Sequence, residues 1–217
     1  WLSTMVSADV PQVTTDIPTT HSLVTRVMAG IGMPDLIVKQ GASPHDYSLR
    51  PSNAASLEAA DLVFWINSGL TPWLEGALKT LAADAKGIEL METKGSTVLP
   101  YREGTTFEAH SHELKRDEEG HTTTQNSNAT TNIDPHGWLD PDNGKNWLDV
   151  IATELSKIDP DNADIYFDNA TQGKADIDAV IFEIEATLAA FRGTKFIVYH
   201  DAYQYFEKRF DVLAAGS

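Results

Sequence analysis

From Val10 to Met91 the chain alternates short β-rich runs with segments of helical spacing, and this alternation restricts the fold more than any other feature. Val10 to Thr15 reads as a strand, and Thr20 to Ala29 places Leu23, Val24, Val27 and Met28 at helical intervals. Gly30-Ile31-Gly32 closes that helix. Leu36 to Val38 is a second strand, and Pro51 to Ala60 a second helix with proline in its first turn. Asp61 to Ile66 is apolar almost throughout, as a strand covered on both faces should be. Leu70 to Ala83 is a third helix and Ile88 to Met91 a fourth strand. Repeated βα units of this length predict an α/β lobe with a mainly parallel sheet and flanking helices.

The second half is more helical. Asp142 or Asn143 can cap a helix that runs through Trp147, Val150, Ile151 and Leu155 to Asp159-Pro160. Asp161 to Arg192 is the longest periodic segment, with Ile177, Val180, Ile181, Ile184, Leu188 and Phe191 recurring at three and four residues. A helix of about 30 residues would be on the order of 45 Å long, enough to bridge two lobes. Gly173 within it marks a possible bend or break. Lys195 to Tyr199 begins a new βα unit, followed by helical Ala202 to Arg209. One strand and one helix cannot form a stable domain, so the expectation is a C-terminal lobe that is truncated here. The domain reading is thus residues 9–159 as the N-terminal lobe, 160–193 as the linking helix and 194–217 as the start of a second lobe.

Two stretches stand outside this scheme. Trp1 to Ala8 is short and apolar and ends Val-Ser-Ala, so residues 1–8 read as the remnant of a secretory signal, with an ordinary chain terminus as the alternative. Residues 108–133 are rich in Glu, Asp, Lys, Thr and Asn and form a charged loop longer than compact domains carry. It holds His110, His112 and His121, which read either as a loose metal-binding tract or as incidental members of a solvated insertion.

The chemistry available is narrowed by what is missing. The 217 residues include no cysteine, which removes disulfides, thiolate metal sites and thiol nucleophiles. Thirty-two acidic against 16 basic side chains give a formal charge of −16, which argues against a nucleic-acid partner. No run of about 18 uncharged apolar residues occurs. Any zinc site must therefore use histidine and carboxylate.

Three histidines stand in turns that could hold such a site. His45 lies in Gly41-Ala-Ser-Pro-His-Asp-Tyr47, where Pro44 and Gly41 stiffen the exit from the second strand. His136 lies in Asp134-Pro-His-Gly-Trp138, and His200 follows the apolar run Phe196 to Tyr199. Each alone reads more readily as a structural or surface group than as a ligand. Each is also flanked by an acid and an aromatic, Asp46 and Tyr47, Asp134 and Trp138, Asp201 and Tyr203. Such acids can accept the second ring N–H and fix the tautomer. Ligands in doubly wound sheets bind beyond the carboxyl ends of the strands, where His45 and His200 both fall. His21 opens the first helix and reads as a cap or an outer partner, while Asp140 and Asp142 read as caps.

The phrases Gly41-Ala-Ser-Pro-His-Asp-Tyr-Ser-Leu-Arg-Pro-Ser52, Ala60-Asp-Leu-Val-Phe-Trp65, Asp134-Pro-His-Gly-Trp-Leu-Asp-Pro141 and Tyr199-His-Asp-Ala-Tyr-Gln-Tyr-Phe-Glu-Lys208 closely resemble the ZnuA-type zinc-uptake solute-binding proteins. The likeness runs from about Val10 to the end. It implies a two-lobed metal-binding solute-binding fold with a long connecting helix and the ion in the cleft between the lobes. It also implies a charged, histidine-containing loop near the entrance. By the same resemblance His45, His136 and His200 match the family's three metal-binding histidines. A third imidazole in place of the carboxylate of manganese-binding relatives favours zinc. Pro44 stands where some zinc members carry a glutamate ligand, which leaves the fourth ligand unassigned.

The expected function is capture of Zn2+ in the periplasm by a monomer, and its delivery to the membrane permease of an ABC importer, without catalysis. The alternative on the same fold is a manganese or iron importer component or a metal-dependent adhesin. A zinc hydrolase is the competing class, since three imidazoles and an open position also suit catalysis. It lacks a His-Glu-x-x-His helix or other hydrolase signature here.

Overall fold

A computed structural model describes residues 10–102 and 132–217 of the chain. The proposed signal remnant, most of the charged segment, and His110, His112 and His121 lie outside the described residues.

The first lobe is a four-stranded parallel sheet with strand order β2-β1-β3-β4. Its strands are β1 (Val13–Thr15), β2 (Asp35–Leu36), β3 (Leu62–Trp65) and β4 (Lys86–Glu89). Between them run α1 (Pro18–Val27), α2 (Pro51–Glu58) and α3 (Pro72–Leu81), each with proline in its first turn. Proline has no N–H to lose there and its φ already suits the helix. Right-handed crossovers from β1 leftward to β2 and from β3 rightward to β4 put α1 on one face and α3 on the other. The crossover from β2 to β3 passes α2 over the same face as α3, and α2 and α3 touch.

β3 is buried at all four positions, as a central strand covered on both sides must be. Where the order reverses between β1 and β3, the buried carboxylate of Asp16 joins the two strands. Its Oδ2 accepts the backbone N–H of Ile66 at 2.8 Å, and its Oδ1 that of Ile17 at 2.7 Å.

α4 (Pro141–Ile158) is capped by Asp140, whose side chain accepts from the Asp142 N–H at 3.0 Å. Trp147, Leu148, Ile151, Ala152 and Leu155 form its buried stripe. α5 (Ala163–Leu188) is 26 residues long, with a short 3-10 turn at either end. It packs on α4 and α1 and is continuous through Gly173. Gly173 therefore serves close approach rather than bending: a Cβ there would stand 2.9 Å from Leu148 Cδ1 and 3.1 Å from Arg26 Cγ.

Beyond α5 come β5 (Lys195–Ile197), α6 (Gln204–Phe210) and β6 (Leu213–Gly216), with β5 and β6 paired in parallel in a sheet of their own. The sequence reading missed β6, because Ala-Ala-Gly carries little intrinsic strand preference. It placed β4 two residues late, since the strand begins on exposed Lys86 and Gly87 and its apolar end turns into a 3-10 helix. Among the described residues no helix is long and apolar enough to cross a membrane.

Candidate metal centre

His45 stands on the loop that leaves β2. Gly41 adopts φ +86°, a left-handed turn that glycine reaches without strain. The loop is held from outside: the Trp73 indole donates to the Pro44 carbonyl at 2.8 Å, and Trp73 packs on Tyr47 with ring centroids 5.4 Å apart. Tyr47 donates its hydroxyl back towards the Ile37 carbonyl at 3.0 Å. His45 is half-buried. Its pKa is lowered from the ordinary 6.5, by desolvation first and then by the neighbouring rings of His136 and His200. Asp46 and the Gly69 backbone act the other way.

His136 is buried at the head of the 3-10 turn that precedes α4. One oxygen of Asp134 accepts both its backbone N–H at 3.0 Å and its ring Nδ1–H at 2.6 Å. This bond fixes the tautomer. Nε2 is then the nitrogen left for a ligand, and the Nε2 of His200 stands 3.2 Å from it. Two nitrogens of a tetrahedral Zn2+ site with bonds of 2.0 to 2.1 Å lie about 3.3 Å apart, so this spacing already matches an edge of the polyhedron.

The ligand atoms of His45, His136 and His200 all lie within 4.8 Å of one another, the sole grouping of this kind among the described residues. The rings of His136 and His200 are 5.1 Å apart, and His45 stands further out, 6.2 and 6.3 Å from the other two. Three imidazoles with convergent nitrogens suit a borderline divalent ion better than a hard one.

Of the three flanking acids only Asp134 carries the ring of its histidine. Asp46 is exposed, and Asp201 turns to Arg102 instead. His21 lies away from the group, with Nε2 3.1 Å from the Pro34 carbonyl and Nδ1 beside the Thr25 hydroxyl. It neither caps α1, whose N-cap is Ile17, nor belongs to the site. Sequence reasoning missed Trp73, Arg102, Gln204 and Tyr205, all of which support the ligand-bearing loops. No local pattern marks them, because their roles arise from contacts across about 30 to 105 residues.

A doubly wound parallel lobe, three imidazoles gathered beyond its strands and a long helix leading into a second small sheet define a metal-binding protein of the solute-binding class. Within that class the chain belongs to the ZnuA family, described as zinc-uptake complex component A, periplasmic, which it matches over residues 13–217. It is 39% identical over 211 residues to the high-affinity zinc uptake system protein ZnuA of Paracoccus denitrificans (strain Pd 1222), covering 94% of this chain and 65% of that relative. The ZnuA protein of Brucella abortus (strain 2308) is 40% identical over 213 residues, 91% of this chain and 64% of its own length. The chain thus spans just under two thirds of these curated relatives. Among solved structures, one described as the crystal structure of ZnuA superposes with a TM-score of 0.75 at 26% identity, covering 95% of this chain and 69% of that one. A manganese-bound periplasmic metal-binding protein from Candidatus Liberibacter asiaticus shares the fold at 17% identity and a TM-score of 0.71, over 94% and 67% of the two chains.

Proposed function

We propose that the chain captures Zn2+ through His45, His136 and His200 and passes it to the membrane permease of an ABC importer, acting in the periplasm as a monomer and catalysing no reaction. The observation that carries this reading is the convergence of three imidazoles from three separate segments, with the tautomer of one already set for coordination through Nε2. The relatives' zinc-uptake names support zinc as cargo. In the domain reading that goes with it, residues 9–159 form the first lobe, 160–193 the linking helix, and 194–217 open a second lobe.

Binding competes with protonation of the three rings, so zinc affinity falls as pH drops through the imidazole range. The test is titration with Zn2+ against a competing chelator, with proton release followed in parallel. Alanine at His45, His136 or His200 should each weaken binding by more than the ~10–100-fold typical of outer partners. Full affinity in any of these variants, or binding without proton release near the imidazole pKa, would remove that histidine from the site. Competition between Mn2+ and Zn2+ on the same protein decides the cargo, with Zn2+ expected to win.

A further inference from the structure

His200 is the exposed member of the trio, and the residue before it, Tyr199, is fully exposed at 105%. Packing does not hold this bend. The segment after it, by contrast, is firmly anchored. Asp201 receives Arg102 through both carboxylate oxygens, one from Nε at 3.4 Å and one from Nη2. The same guanidinium donates to both oxygens of buried Glu207 on α6, at 3.0 and 2.9 Å. Glu207 in turn accepts the N–H of Ala214 on β6 at 2.9 Å.

Arg102 follows a short antiparallel pairing in which Tyr101 N–H donates to the Asn132 carbonyl and Asp134 N–H to that of Leu99. The other strand of this pairing leads directly to Asp134 and His136. Gln204 and Tyr205 fasten it to α6 again. Gln204 donates to the Pro100 carbonyl at 2.8 Å and to Asp134 Oδ2 at 3.3 Å. The Tyr205 hydroxyl receives Leu99 N–H and donates to the Asp134 carbonyl, both at 2.8 Å.

We infer that Arg102 is a positioning residue for metal binding: by clasping Asp201 and Glu207 it fixes the backbone of His200 at coordination distance from His136. This rests on the three-histidine reading of the site. A planar guanidinium suits the task, because its fork can serve two carboxylates at once, whereas a lysine ammonium is a point charge on a flexible stem. The effect of Arg102 should therefore pass chiefly through His200.

The experiment measures Zn2+ affinity by chelator competition on the whole chain, with Arg102→Met, Arg102→Lys and Asp201→Ala made in the parent and in His200→Ala. In the parent background Arg102→Met is expected to weaken zinc binding ~10–100-fold, the range of outer partners of metal ligands, with Arg102→Lys recovering part of the loss. In the His200→Ala background the same change should alter affinity less than about twofold, since residues acting through one group are not additive. Asp201→Ala keeps the Arg102–Glu207 pair while removing the acceptor next to His200, and should reproduce the loss if Arg102→Met fails to fold. Unchanged affinity in the parent background, or an equal loss with and without His200, overturns the inference while leaving the site intact. Zinc binding in the parent that is indifferent to His200→Ala would overturn the three-histidine reading and this inference with it.

Discussion

Asp134 does two jobs with one oxygen, accepting the backbone N–H and the ring Nδ1–H of His136. It sets both where the imidazole sits and which nitrogen is free. Replacing it with alanine removes both bonds and leaves a buried N–H without an acceptor, so zinc affinity measured by chelator competition should fall ~10–100-fold. Asparagine can still accept through its carbonyl oxygen but lacks the charge that supports a more basic imidazole, and its loss should be smaller. This partnership was legible in the sequence, because an acid two residues before a histidine across a proline has few other places to turn. The parallel expectation for Asp201 met a competitor that the sequence does not display: a guanidinium 99 residues away outcompetes the adjacent ring for its carboxylate.

At the level of elements, α5 comes close to α4 and α1 because position 173 carries no side chain. The sequence shows the glycine but not its neighbours, so it reads equally as a bend; only the packed helices reveal a contact. Alanine there gains helix propensity of about 1 kcal/mol, but its Cβ would press on buried Leu148 and the Arg26 stem, so the two effects oppose and the net change in the urea midpoint should be small. Valine adds bulk against Leu148 and Arg26 and should destabilise by about 1–3 kcal/mol in urea unfolding at constant m-value. The strands show the same division. β3 announces itself as an unbroken apolar run, whereas β6, made of Leu, Ala, Ala and Gly, becomes a strand only because β5 is there to pair with it.

For the molecule as a whole, Asp16 makes global stability depend on pH. Burial raises its carboxyl from the ordinary 3.8 to about 6, against the opposing N–H donors of Ile66 and Ile17. Between about pH 4 and 6 the folded chain keeps a proton that the unfolded chain has released, so this group's contribution to stability falls as pH rises through that window. The change is about 3 kcal/mol. Urea unfolding of the parent and of Asp16→Asn at pH 4 and pH 7 isolates it: the parent's advantage over the variant should shrink by about that amount at the higher pH. A constant difference would show that Asp16 ionises at the same pH in both states. The three-histidine group has a mechanical consequence too. His136 and His200 are 64 residues apart in the chain, and His45 is more distant still from His200. On the function proposed above, an ion shared among them would act as a removable staple that shuts two long loops at once, so the cargo would also brace its carrier, which would slacken when the ion departs.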